Sequence, residues 1–212
     1  MAESIAEMFF LVAVDDIGGR ARVRTDLLHS GVAGGVFADL VLRRFIRVDD
    51  TGLVRPTSAT GCSADGSAAA HVVEAVAQED RALSVRHWIE EIGPAVFELV
   101  AQQLADAGVI RREQVGGIRR HEIYPPVDLV AAATPRLELA RMLRDPRRFT
   151  LVFGIVAVLV DVAGLGGTFS ADRSRAVVRE IMVELADNLP GDLQAITHGV
   201  RTAASRRAVL PQ

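Results

Sequence analysis

Leu151 to Val160, LVFGIVAVLV, is a run of ten residues without a polar side chain, and it limits what this chain can fold into. A helix that crosses a bilayer needs about 20 apolar residues. The run falls well short of that, follows Arg147 and Arg148, and meets Asp161 before the apolar character resumes to Leu165. A helix that is apolar all round belongs in the middle of a helical core. The expectation is a central helix over 148–164, caged by amphipathic neighbours.

The rest of the chain supplies such neighbours. Residues 3–14 predict a helix ended by Asp15-Asp16 and the Gly18-Gly19 turn. Thr25 or Asp26 caps a second helix, in which Leu28, Val32, Val36 and Leu40 form one stripe. Gly31, Gly34 and Gly35 weaken it by about 1 kcal/mol each relative to alanine. They mark either a break or a face against which another helix packs closely. FIRV and LVRP flank Asp49-Asp50-Thr51-Gly52, a hairpin signal. Helices are expected at 67–79, with Val72, Val73 and Val76 inward, and at 84–92, with Trp88 as a core anchor. Pro94 suits the first turn of a further helix, which keeps helical spacing through Val96, Leu99, Val100, Leu104 and Ala107 until Gly108. A second hairpin pairs VIRREQ with IRRHEIY around Gly116-Gly117. Helices at 127–144, 148–164, 171–188 and 191–205 finish the chain, the third of these capped by Ser170 or Asp172, with Val177, Ile181, Leu185 and Leu189 recurring every fourth residue. No Pro- or Ser-rich linker divides these elements. The reading is one mainly α domain over 1–212, a helical bundle around a central apolar helix with two short β-hairpins.

Composition narrows function. All 24 cationic side chains are arginine, against 27 acids, for a net charge of −3. With the abundance of Ala, Val and Gly this implies a GC-rich, bacterial source. Cys62 is the sole cysteine, so no internal disulfide forms and a reducing compartment is implied. The opening Met-Ala-Glu-Ser lacks a signal-peptide layout, which points to the cytoplasm. His29, His71, His87, His121 and His198 are scattered without metal-ligand spacing. The acidic pairs sit at turns, and the GLGG at 164–167 follows a helix instead of opening one. No nucleophile–base pair, metal site, cofactor or nucleotide loop is expected, and no enzyme.

Five segments in order carry a resemblance. They are the glycine-bearing helix with Gly31, Gly34, Asp39, Leu40, Leu42 and Arg43, the SVRHWIEEI segment, LVAQQLADAGVIRRE, HEIYP, and DPRRFTLVFGIVAVLVDVAGL. Together they resemble the Golgi phosphoprotein 3 (GPP34) family over roughly residues 8–190. The resemblance implies a helical bundle around an apolar helix. It also implies a protein that binds phosphatidylinositol 4-phosphate at a shallow basic site, and that inserts or oligomerises through its second hairpin, here Val115, Gly116, Gly117 and Ile118. Eukaryotic members also hold the cytoplasmic tails of glycosyltransferases, an adaptor role. At the positions of the family's four headgroup-contacting side chains this chain carries Arg24, Ala33, Pro94 and Phe97, so none is retained.

Two arginine groupings are the candidates for anionic-lipid or phosphate contact. Arg20, Arg22 and Arg24 precede the second helix, and Arg43, Arg44 and Arg47 follow it. Arg111 and Arg112 are expected across the second hairpin from Arg119 and Arg120. Guanidinium groups suit bidentate phosphate contact, and each basic residue near an anionic bilayer contributes about 1 kcal/mol. The plain alternative is a solvated hairpin neutralised by Glu113 and Glu122. The expected partners are an anionic membrane lipid at the cytoplasmic face and a second copy of the chain through the hairpin. Two rival classes stand beside this: a winged-helix nucleic-acid binder, which the net charge disfavours, and an oligomeric scaffold without lipid binding.

Overall fold

Ser4 starts the first helix, α1 (Ile5–Ala13). Its hydroxyl accepts from the Glu7 N–H, and the Glu7 carboxylate accepts from the Ser4 N–H. The computed structural model describes residues 4–58, 67–116, 121–169 and 174–207. Only Glu7 of α1 escapes full burial, because the helix lies against α2 (Thr25–Leu42), itself buried from Ser30 to Ala38. The glycines of α2 permit this. A Cβ on Gly35 would stand 2.6 Å from the Ala6 Cα, and one on Gly31 2.2 Å from the Phe9 ring. A Cβ on Gly34 would stand 2.4 Å from a Val200 methyl on α8 (Gly191–Arg207). Of the two expectations for these glycines, close packing holds and the break does not.

The apolar run forms α6 (Leu151–Val162), capped by the Thr150 hydroxyl and shorter than the expected 148–164. Gly154 to Val160 are all buried, so the run lies inside the bundle as its composition requires. The oily centre is not α6 alone, since α1 and α2 are nearly as enclosed. Among the described residues no helix is long and apolar enough to cross a membrane.

α3 (Ala68–Gln78) and α4 (Val85–Asp106) pack on this centre. The two helices expected on either side of Pro94 are one continuous α4. Gly93 is the physical reason: with no Cβ it cannot collide with the proline ring, the clash that normally removes the preceding residue from helical geometry. α5 (Leu129–Arg144) and α7 (Arg175–Asp187) complete the set of eight helices among the described residues. The cap of α7 is Ser174, not Ser170 or Asp172, which lie outside the described residues. Of the row recurring every fourth residue, Ile181 and Leu189 are buried and Leu185 packs against the core, joined by Val178 and Met182, while Val177 is exposed.

Two antiparallel hairpins decorate the bundle. β1 (Ile46–Val48) pairs with β2 (Val54–Pro56), and β3 (Glu113–Val115) with β4 (His121–Ile123). Fold class therefore agrees with the sequence: mainly α with two short hairpins.

Candidate functional site

The turn after α1 is built by Asp15. Its carboxylate accepts from the Ile17 and Gly18 N–H groups at 3.0 and 2.7 Å, and these backbone bonds, Gly18 first, hold its carboxyl below the usual carboxylate range. Gly19 follows at φ 68°, and a Cβ there would sit 2.2 Å from the Pro125 nitrogen. Only glycine allows this approach. It lets the Tyr124 N–H donate to the Gly19 carbonyl at 2.7 Å. Asp16 reaches across to Arg136 on α5 in a short ion pair. One backbone step away, the Arg111 N–H donates to the Pro125 carbonyl at 2.8 Å.

These bonds bring together residues about ninety positions apart. Arg20, Arg22 and Arg24, exposed on the segment that leads into α2, share one end of the molecule with Arg111 at the root of the β3–β4 hairpin. Their charges are partly met locally. Arg22 faces Asp15 at 3.3 Å and Asp16 at 2.8 Å, Arg24 forks onto Asp26 at 3.1 and 2.7 Å, and Arg111 reaches Glu113 at 3.3 Å.

Arg112 differs from its neighbour. Its guanidinium is held between Glu98 on α4 and Glu122 on β4, with Gln102 at 3.3 Å, and bonding to Glu122 raises its pKa further. It ties the hairpin to α4. The ladder register runs Glu113↔Ile123 to Val115↔His121, so Arg111 and Arg112 stand at the root of the hairpin. Arg119, Arg120, Gly117 and Ile118 lie outside the described residues; Val115 is half-buried and Gly116 exposed at φ 105°.

Beneath this end lies an aromatic cluster. Phe97 stacks on Phe10 at 5.4 Å, packs edge-on to Tyr124 at 5.7 Å and lies 4.5 Å from the His29 ring. Burial, with Glu122 and Glu98 nearby, raises the Tyr124 hydroxyl above its ordinary pKa. Ala33 and Phe97 are buried and carry no charge, while Pro94 and Arg24 are exposed.

Arg43, Arg44 and Arg47 belong to a different place. α2 spans 18 residues, so they sit about 27 Å from Arg24. The six arginines of the first grouping therefore do not form one site. Arg44 holds φ 61°, Arg43 lies over the Phe45 ring at 5.4 Å, and no ion pair engages the three among the described residues. Arg44 and Arg47 border a groove of about 400 Å³ with Thr57, Pro190 and Asp192. Sequence reasoning missed Asp39 nearby. Its carboxylate accepts from the Ile5 N–H at 3.0 Å and more weakly from Ala6, and burial pushes it up to about 6. An acid among Phe37, Ala38 and Leu40 was the available signal.

A family model described as Golgi phosphoprotein 3 (GPP34) matches residues 5–207. No curated protein matches.

Proposed function

This chain belongs to the Golgi phosphoprotein 3 (GPP34) family, and from that premise we propose that it is a non-enzymic protein that associates reversibly with anionic lipid headgroups at the cytoplasmic face of a membrane and acts there as an adaptor. The observation that carries the reading is the gathering of Arg20, Arg22, Arg24 and Arg111 at one end by the Gly19–Tyr124 and Arg111–Pro125 backbone bonds. Their local ion pairs do not oppose it. Exposed pairs are worth only about 0–1 kcal/mol, so a phosphate can take the place of an aspartate. Arg20 and Arg111, at about 1 kcal/mol each, contribute roughly 2 kcal/mol, about thirtyfold in partition, and salt weakens this strongly. The headgroup contact is of the general anionic kind, since Ala33 and Phe97 offer no charge.

The test is co-sedimentation with vesicles of phosphatidylcholine alone and of an equimolar mixture with phosphatidylserine. Wild type stays with the anionic vesicles, salt releases it, and Arg20→Glu/Arg24→Glu/Arg111→Glu does not bind. Indifference of wild type to lipid charge at low salt removes the membrane role.

A second reading rests on Arg43, Arg44 and Arg47, which make no ion pair among the described residues; Arg44 and Arg47 border the groove beside Pro190 and Asp192. It assigns the anion contact to the far end of α2. Loss of binding in Arg43→Glu/Arg44→Glu/Arg47→Glu, with the first triple variant unaffected, would select it.

A further inference from the structure

Nine large apolar side chains stand exposed among the described residues, and four of them lie on the turn after α1 and at the entry to α5, segments tied together beside Arg20 and Arg111. Ile17 is 85% exposed at the crest of the turn after α1; Val127, Leu129 and Val130, at the entry to α5, are 54%, 63% and 77% exposed. Both segments are held in this posture. The Asp15 carboxylate accepts from Ile17 and Gly18, which turns the Ile17 side chain outward. The Asp128 carboxylate accepts from the Val130 and Ala131 N–H groups at 3.0 Å each and so sets where α5 begins. The Tyr124–Gly19 bond and the Asp16–Arg136 pair fasten one segment to the other. A folded chain gains nothing from rigidly displaying four aliphatic groups to water, and such patches mark contact surfaces.

We propose that this tip inserts shallowly into the hydrocarbon boundary of an anionic bilayer, so that Ile17 and Val130 add apolar burial to the arginine contact. This rests on the anionic-surface reading and deepens it. Charge supports lipid as the occupant. The tip's acids are compensated, Asp15 and Asp16 by Arg22 and Arg136, and Asp128 by the first turn of α5. Arg20, exposed and in no ion pair among the described residues, and Arg111, whose pair with Glu113 is exposed and therefore weak, remain to meet phosphates at the rim. Their aliphatic stems can lie along the apolar surface while the charged heads stay in water. Area argues against a second copy. Four such side chains offer on the order of 400 Å², about half of what each partner of a stable dimer buries.

The experiment joins two measurements. Ile17→Ser/Val130→Ser changes only exposed positions, and its partition onto equimolar phosphatidylcholine–phosphatidylserine vesicles should fall by about tenfold or more. Separately, a nitrobenzoxadiazole label is placed through Ile17→Cys or, as a control on α3, Glu74→Cys, each in a Cys62→Ser background. With those vesicles the label at 17 should shift to the blue and brighten, and the label at 74 should not. If wild type binds but the double variant binds equally and the label at 17 stays water-like, insertion is refuted while the electrostatic reading stands. If wild type does not bind the anionic vesicles, both fall. A tip-dependent dimer in sedimentation, without a lipid-induced shift of the label, would overturn the proposal in favour of a second copy.

Discussion

Substituting Gly35 by alanine sets two effects of opposite sign against each other. In a helix interior alanine is favoured over glycine by about 1 kcal/mol. At Gly35 the new methyl would lie 2.6 Å from the Ala6 Cα and 2.8 Å from the Ala6 nitrogen, which are backbone atoms of α1. Non-bonded carbons settle at roughly 3.5–4.0 Å, so α1 must retreat by about 1 Å, and a gap of that size forfeits a quarter to a half of each contact well. α1 is buried along almost its whole length, so the loss is collective. Overpacking costs about 1–3 kcal/mol, and with backbone on the receiving side the upper end applies. The net expectation for Gly35→Ala is a loss of about 2 kcal/mol, or a Tm lower by about 4–8 °C. Gly154→Ala is the internal control. Its methyl would meet only a Leu185 methyl at 3.9 Å, an ordinary contact, so the propensity gain of up to about 1 kcal/mol stands alone. Thermal and denaturant unfolding of both variants decide the matter. A Gly35→Ala protein as stable as wild type would mean that α1 and α2 do not meet through backbone, and the close packing described for this face would be wrong.

Asp39 should make stability depend on pH in an unusual direction. Its pKa is raised from 3.8 to about 6, chiefly by burial, so its contribution is fully present below the unfolded value and is lost as pH rises through 6. Between pH 4 and pH 7 this amounts to about 2 kcal/mol. Denaturant titrations at several pH values should show the trend in wild type and a flatter profile in Asp39→Asn. Asp15 and Asp49, whose pKa values are lowered, act in the opposite sense only at more acidic pH. Arg112→Ala removes the tie between the hairpin and α4 and leaves Glu98 and Glu122 facing each other. It should cost about 1–3 kcal/mol, with hydrogen exchange accelerated first in residues 113–115 and 121–123. Phe97→Ala empties the aromatic cluster and should cost about 3–5 kcal/mol in the same unfolding assay.

Much of the fold was readable from the chain itself. Ten consecutive apolar residues too few for a bilayer left α6 only an interior position, and Gly154 to Val160 are buried. The hairpin at Asp49–Gly52 followed from local turn chemistry. These are effects of neighbouring residues, and sequence order contains them. The family resemblance, from five colinear segments, agrees with the match over residues 5–207.

What distance in space controls was not readable. Spacing cannot tell a glycine that breaks a helix from one that admits another backbone. Gly31 and Gly35 are of the second kind only because Phe9 and Ala6 arrive from α1. Spacing placed Ile181, Leu185 and Leu189 in one inner row, but only the packing shows that Val178 and Met182 complete that face while Val177 is exposed. In sequence the arginines fell into two groupings, Arg20 to Arg47 and Arg111 to Arg120. Folding put Arg43 and Arg44 at the far end of α2, fixed Arg112 between two glutamates, and joined Arg20 and Arg111 across ninety residues. A side chain's charge is written in its letter, but the partners that neutralise or leave it available are chosen by the tertiary contacts alone.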